Sequence, residues 1–500
     1  MDVYLIGVDL GTQGTKAALF DEDMRMVATA FEASRLVSPK PGVVWQEADD
    51  LYASLVHVIR DLVEQTGING NQIVSIGIDG QMAGIMGISS DGSATTYYDS
   101  WLDMRCGPYA DRMNAEMGSR IIALSGGAAS FTHGPKILWW KHEQPEIYAK
   151  TSCFVPPHAY LVCRMTGQDS ENAYCDYTHL HLSNFADTER LCWSDELLAS
   201  FGVESKKLPR IVSPFDVIGY TTVEFACLSG TVAGIPVVAG CGDTAAGTFG
   251  SGMFEPGMLL DIAGTASVLC GVVNRYAPDV EHATLTMMRS PIEGLFLPLA
   301  YINGAGLCIR WCRDLLHSTY DELSIEAGKV KPGSEGLIFI PHFSGRVLPN
   351  NPYLKGSFQG LDFVHSKGHL YRAVMESVAY EYAIFLSVMQ ELFDEHSFDC
   401  LISMGGGAQS PLFCQIKADV LGINVATFKM GETALIGSAV IAGVGVGFLP
   451  DYQTPIRNAM QPGQTYSYDA TRYQEYLVPQ RAYLCAVDSM TNYYMNAEKW

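Results

Sequence analysis

One segment occurs twice, and that repeat constrains the fold more than any other feature. From Leu5 to Phe20 an apolar strand runs through Gly-Val-Asp-Leu-Gly-Thr into a second apolar strand. From Leu259 to Val273 the plan returns as Leu-Leu-Asp-Ile-Ala-Gly-Thr-Ala-Ser-Val-Leu-Cys-Gly-Val-Val. A strand, a Gly-Thr turn and a returning strand make a tight hairpin. Such a turn gathers backbone N–H groups and a hydroxyl at one place, a disposition suited to phosphate. A copy in each half points to two related domains that grip a polyphosphate from opposite sides. Only the first copy sets an acid two residues before its glycine, Asp9 before Gly11; the second has Ile262 before Gly264. That asymmetry gives the metal to the first half and the nucleotide to the second.

Composition narrows the partners. The chain has 500 residues, more than one core usually supports, so two or three domains are expected. Hydrophobic residues make up 48% and charged residues 17%, the balance of a packed globular enzyme. The net charge is −22 with no basic run or stripe, which argues against nucleic acid or an anionic membrane as partner. Thirteen cysteines are scattered without CxxC pairs and read as free thiols of a reducing, cytoplasmic setting. Cys308 and Cys312 share a helix, but no further ligand completes a zinc site. The chain begins Met-Asp-Val-Tyr and enters a strand at once, so no signal peptide is expected. No apolar run is long enough to span a membrane; Ile436–Phe448 is short and Gly-rich and reads as a buried helix and turn.

Strands and helices alternate after each hairpin, which predicts an α/β fold with a mixed sheet in each half, residues 1–247 and 248–500, joined by a packed hinge near Gly247–Gly257. Helical spacing covers Trp45–Gln65, ending at Gly67, and Leu370–Phe393. Gly304–His317 reads as a helix with Trp311 and Leu315 inward. Apolar strands are expected at Ile73–Ile78, Val232–Ala239 and Leu401–Met404. Residues 98–193 look like an insertion that builds a pocket.

Chemistry concentrates at a few of these strand ends. Asp9, beside Gly11 and Thr12, can hold the waters of a Mg²⁺ bridging nucleotide phosphates, and Gly14, Thr15 and Lys16 follow it. The alternative is a hairpin Asp that merely accepts a turn N–H. Asp243, in Gly-Cys-Gly-Asp-Thr, follows a buried strand and opens a helix. A hydroxyl attacking a phosphoryl group must lose its proton, and a carboxylate there can take it; an ordinary helix-capping Asp is the other reading. Gln81, Met82, Trp101, Asp103 and Arg105 mix planar polar groups with apolar walls, as a sugar site requires; a core Trp with a surface Asp–Arg pair would look the same. Gly405-Gly406-Gly407 leaves room for a base or ribose at a helix start. His179 and His181 alternate as on a strand and read as structural or pocket residues.

The ordered set Gly-Val-Asp-Leu-Gly-Thr, Asp-Gly-Gln-Met, Trp-Leu-Asp-Met-Arg, Gly-Cys-Gly-Asp, Gly-Thr-Ala-Ser, Phe-Ser-Gly-Arg and Gly-Gly-Gly-Ala resembles the FGGY carbohydrate kinases, nearest their xylulokinase-like branch. The resemblance spans nearly the whole chain. It implies two actin-like, ribonuclease-H-like domains with a cleft between them, ATP and Mg²⁺ as cofactors, and phosphorylation of a sugar or polyol hydroxyl. By position it makes Asp243 the base, Asp9 a metal carboxylate, Thr265 a phosphate contact, Gly304, Gly406 and Gly407 the nucleotide site, and Met82 and Trp101 sugar-pocket residues. The chain departs from the family at Ala83, where His is usual, at Thr244, where Asn is usual, and at Ser344–Pro349. Ala83 and Thr244 fall where the sugar should bind, so xylulose competes with ribulose, a hexulose or erythritol. An actin-like ATPase and a non-catalytic sugar sensor are the remaining alternatives, and a homodimer is the one macromolecular partnership left open.

Overall fold

A computed structural model describes residues 2–429 and 431–497. The chain forms two compact units. Unit 1 comprises Met1–Phe254, Met287–Phe296 and Met430–Met460; unit 2 comprises Glu255–Thr286, Leu297–Lys429 and Gln461–Trp500. A single cut near residue 247 thus misses two later segments that fold into unit 1.

Both units repeat one sheet plan. The main sheet of unit 1 holds β1 (Tyr4–Leu10), β2 (Gly14–Phe20), β3 (Met26–Ala33), β4 (Ile73–Gly80), β5 (Val217–Tyr220), β6 (Pro236–Val238) and β7 (Cys241–Gly242). They run in the order β3-β2-β1-β4-β6-β5, with β7 also on β4. The first three are antiparallel, and β4 lies parallel to β1, β6 and β7. In unit 2 the strands are β8 (Leu259–Ala263), β9 (Ser267–Gly271), β10 (Phe296–Ile302), β11 (Cys400–Met404), β12 (Asn424–Lys429) and β13 (Gln461–Tyr466). Their order is β10-β9-β8-β11-β12-β13, again with an antiparallel first trio and a parallel β8–β11 pair.

In β1, Leu5, Ile6, Val8 and Leu10 are all wholly buried, so both faces of this part of the sheet are covered. The Ala48–Thr66 helix lies against β2 and β3 and buries Leu51, Leu55, Val58, Ile59 and Leu62. It ends where Gly67 turns left-handed (φ 65°) and returns its N–H to the Val63 carbonyl. It starts later than its apolar spacing suggests, because Val43–Gln46 pairs as a strand with Tyr98–Asp99.

The Thr433–Gly445 helix packs on β1 and β4. It is apolar on all sides, the composition of a buried helix. Glycine sets its depth. A Cβ at Gly7 would lie 2.2 Å from the Leu435 carbonyl oxygen, and one at Gly77 2.1 Å from that of Ser438. The helix is equally close to its neighbour Asp243–Gly250, where Gly250 faces the Thr433 carbonyl and Gly437 that of Ala246. The Ile436–Phe448 stretch is therefore a buried helix and turn, but one that completes unit 1.

The Ala305–Leu315 helix corrects one expectation. Its buried residues are Ala305, Cys308 and Cys312, while Trp311 and Leu315 are exposed by 37% and 56%. The narrow inward face suits small residues. Trp311 packs sideways on Phe339 and Phe343 instead.

Candidate active site

Parallel pairing brings three carboxyls to one end of the unit 1 sheet. Asp9 on β1 stands opposite Asp79 on β4, and Asp79 stands opposite Cys241 on β7. Asp243 is two residues beyond Cys241 and is the first residue of the Asp243–Gly250 helix. Asp79 is wholly buried, and its Oδ2 accepts from Ser438 Oγ at 2.6 Å. Burial, then the charge of Asp243, pushes the Asp9 carboxyl up to about 6, with the Asp79 hydrogen bond and Lys16 pulling the other way. Burial and then Asp9 raise Asp79 well above the carboxylate range. Burial also raises Asp243, opposed by the Thr244 N–H and hydroxyl at 2.6 and 3.2 Å on its Oδ1. Burial and neighbouring charges raise Asp9 and Asp79, and burial raises Asp243. Lys16 does not supply the missing charge, since its Nζ lies 3.0 and 3.1 Å from the Glu432 carboxylate.

A polar chain extends this centre. Gln81, buried, gives its amide N–H groups to Gln46 Oε1 at 2.9 Å and the Gly11 carbonyl at 3.3 Å. The Thr12 hydroxyl donates to Gln81 Oε1 at 3.2 Å and accepts from Trp101 Nε1 at 2.9 Å. The turn and the aromatic wall are thereby one network. Met82 sits under Gly242, where a Cβ would lie 2.5 Å from its sulfur. Ala83 holds a left-handed backbone (φ 64°).

Of the expected site residues, Thr15 and Asp103 are buried and Arg105 is half-buried against Asp103. The Thr15 hydroxyl is buried against Ser54 of the Ala48–Thr66 helix, because alternation along β2 points it into the core. Asp103 is buried and accepts from the Val44 N–H and from the backbone and Nε of Arg105. Arg105 in turn stacks on Trp139 and donates to the Tyr97 hydroxyl. They clamp the loop that presents Trp101. Lys136, which gave no signal in the sequence, finishes the clamp: wholly buried, it donates to Asp99, the Ser100 carbonyl and the Asp103 carbonyl at 3.2, 2.8 and 3.0 Å.

In unit 2 the expected nucleotide residues follow the ends of β8, β10 and β11. The Gly264 N–H closes the turn onto the Ala266 carbonyl, as Gly11 closes onto Gly14, so neither amide is open to phosphate. The Thr265 side of this turn is exposed, and its carbonyl accepts the Gly306 and Leu307 N–H groups beyond Gly304. Gly304 (φ 81°) opens that helix. Gly405 (φ 84°) leaves β11 so close to the Ala263 carbonyl that a Cβ would stand 2.8 Å away, and Gly406 and Gly407 follow in a short 3-10 turn. His179 and His181 lie in consecutive helical turns, not on a strand.

A duplicated sheet with carboxyls at the strand ends of one unit and glycine turns at the edge of the other defines a phosphotransferase of the carbohydrate-kinase class. Residues 4–250 match the N-terminal domain of the FGGY family of carbohydrate kinases and residues 260–446 the C-terminal domain. The chain belongs to this family and is an ATP-dependent sugar kinase. It is 27% identical to the xylulose kinase of Lactococcus lactis over 451 residues, 89% of this chain and 88% of that one. It is also 27% identical to glycerol kinase 2 of Thermotoga maritima over 463 residues, 90% and 91% of the two chains. The crystal structure of ligand-bound xylulose kinase from Lactobacillus acidophilus superposes with a TM-score of 0.91 at 22% identity, covering 99% of each chain, which shows the shared fold.

Proposed function

We propose that the protein transfers the γ-phosphoryl group of ATP to a hydroxyl of a ketose, a pentulose such as xylulose, with Asp243 as the base. The observation that carries this is the placement of Asp243 at a helix start beside Asp9 and Asp79. Oδ1 of Asp243 is occupied by both Thr244 donors, which leaves Oδ2 for the substrate hydroxyl. As the bond from the γ-phosphorus to the ADP oxygen breaks, the hydroxyl oxygen bonds to that phosphorus and its proton passes to Oδ2. The raised affinity of Asp243 for a proton favours this step. Asp9 and Asp243 would hold Mg²⁺, which when bound neutralises phosphate charge. Gln81, Met82, Trp101 and Thr244 face the sugar, with Asp103 and Arg105 fixing the Trp101 loop. Thr12 and Lys16 on the turn that Gly11 shapes in unit 1, and Thr265 on the turn that Gly264 shapes with Gly304, Gly406 and Gly407 in unit 2, serve ATP. The enzyme works in the cytoplasm, whose reducing conditions suit a chain of thirteen cysteines; no helix among the described residues is long and apolar enough to cross a membrane.

The xylulose kinase relatives support a pentulose, and the equal identity to a glycerol kinase makes polyols the comparison to run. The test is acceptor-dependent ADP formation across pentuloses, hexuloses and polyols, with Asp243→Asn as control. A pentulose should give the highest kcat/KM, and the variant should lose about 10³-fold or more in turnover while still binding ATP. ADP formation independent of any acceptor, or an unimpaired variant, overturns the reading.

A further inference from the structure

Behind Asp243 lies a buried polar cluster that the reaction as described leaves unused. Asp176 caps a single 3-10 turn, Tyr177–His179, and the turn packs against β7. Asp176, Thr178, His158 and His179 are all wholly inaccessible. Oδ1 of Asp176 accepts both the Thr178 N–H at 2.9 Å and the Thr178 hydroxyl. Its Oδ2 faces His179 Nδ1 at 2.7 Å and His158 Nε2 at 3.1 Å.

Donor and acceptor accounting gives the cluster a direction. The one hydroxyl proton of Thr178 is committed to Asp176, so the oxygen can only accept elsewhere. What it accepts is the backbone N–H of Gly242, at 3.1 Å. Gly242 is the residue immediately before Asp243 and the N-cap of its helix, with an extended backbone (φ −66°, ψ 148°). It has no side chain to anchor it, and Met82 fills the space a Cβ would need. Its N–H is therefore a fixed point from which the Asp243 side chain is aimed. The histidines complete the arrangement: burial alone would neutralise Asp176, but His179 and His158 hold it far below the usual carboxylate range, so it stays an acceptor.

We infer that Thr178 and Asp176 are positioning residues that hold Asp243 through the Gly242 N–H. The inference rests on the reading of Asp243 as the base. A displacement of a reacting group by about 1 Å can cost about 100-fold in rate, and a buried amide left without its acceptor shifts toward another partner.

The test compares Thr178→Val, which keeps shape and removes the acceptor, with Thr178→Ser, which keeps the hydroxyl. Both are measured in the full chain with its best acceptor sugar. Thr178→Val should lower kcat per folded molecule by about 10- to 100-fold, with KM for ATP and sugar within about threefold of the parent. Thr178→Ser should restore kcat to within about threefold. Should the valine variant fold poorly, Thr178→Ala removes the same acceptor without bulk and carries the same expectation. A packing role alone would lower the melting temperature of the valine variant while leaving kcat per folded molecule unchanged, and that result overturns the inference. So does a loss of kcat that serine fails to restore. If these variants behave like the parent while Asp243→Asn is inactive, the positioning role fails and the base survives. If Asp243→Asn itself turns over normally, the base reading falls and takes this inference with it.

Discussion

Replacing Gly77 by Ala tests how the Thr433–Gly445 helix is seated. The added Cβ would lie 2.1 Å from the Ser438 carbonyl oxygen, 2.9 Å from its carbonyl carbon and 3.1 Å from the Ala442 Cβ. Ordinary van der Waals contact begins near 3.4 Å, so the helix must lift by roughly 1 Å from β4. It cannot yield locally, because the crowded atoms are backbone and the helix is pinned again at Gly7, Gly250 and Gly437. Overpacking of this kind costs about 3 kcal/mol, the upper end for an inserted methyl group. Lifting the helix also stretches the 2.6 Å bond from Ser438 to Asp79, adding about 1 kcal/mol for a buried partner lost. Together these predict a fall in Tm of roughly 5–10 °C. The assay is thermal unfolding followed by circular dichroism, with Gly118→Ala as reference. Gly118 lies in the Gly107–Ser125 helix, its added Cβ meets nothing nearer than 3.8 Å, and Tm should stay within about 2 °C of the parent. A Gly77→Ala protein as stable as the Gly118→Ala protein would refute the close seating and the coupling of this helix to Asp79.

Three further outcomes follow from buried charges and the aromatic wall. Arg346 lies 2.9 Å from Glu381, which also takes the Tyr483 hydroxyl; burial disfavours its charge, yet Arg346 and His342 bring Glu381 down to about 2. A depressed carboxyl contributes stability that is complete above its ordinary 4.5 and is lost as the pH falls through about 2. Arg346→Met should therefore cost about 3 kcal/mol at pH 7 and move acid unfolding to higher pH, with Glu381→Gln in the same chain recovering most of the loss. Lys136→Met takes the nearer of two cations from buried Asp99, leaving Arg105 at 3.8 Å, and should destabilise unit 1 by about 3 kcal/mol in a denaturant titration. Trp101→Phe removes only the bond to Thr12, so steady-state kinetics should show a sugar KM raised about 3- to 10-fold with Tm unchanged.

Much of this fold is legible where local chemistry and burial agree. Both hairpins, the Lys367–Leu392 helix and the β11 strand into Gly405 follow from periodicity and glycine placement alone. What is not legible is where a segment goes once formed. The Thr433–Gly445 helix announces itself as buried, but its assignment to unit 1 depends on glycines more than 350 residues earlier, at Gly7 and Gly77. Trp311 misleads because size suggests the core, whereas small Ala305, Cys308 and Cys312 form the inward face. Asp103 and Arg105 have the composition of a sugar site, and only their contacts show them to be braces. Asp79 is the residue the sequence could have yielded: like Asp9, it ends a buried strand just before a glycine, and parallel pairing sets the two acids side by side. Nothing around Lys136 betrays a buried cation, because its partners come from a loop 33 to 37 residues away.

The repeat also shows how one frame came to hold acid chemistry in only one of its copies. Asp9 lies two residues before its turn glycine, and Asp261, the acid of the second hairpin, lies three before Gly264. Successive side chains of a strand point to opposite faces, so this one-residue offset sends the two carboxyls in opposite directions. Asp9 reaches the strand ends beside Asp79 and Asp243, across the hairpin from Lys16, whose Nζ is paired with Glu432. Asp261 is turned into unit 2, wholly buried, where Lys417 pairs with it and the Tyr382 and Ser403 hydroxyls donate to it at 2.6 and 2.7 Å. A carboxylate wholly buried and already taken up by three donors is closed to a metal-bound water or a substrate proton. Moving the acid alone, as in Asp261→Ser with Ile262→Asp, would therefore orphan Lys417 before it built a second metal site. The duplicated hairpin supplies the turn twice, and the position of one acid within it decides which copy carries the charge.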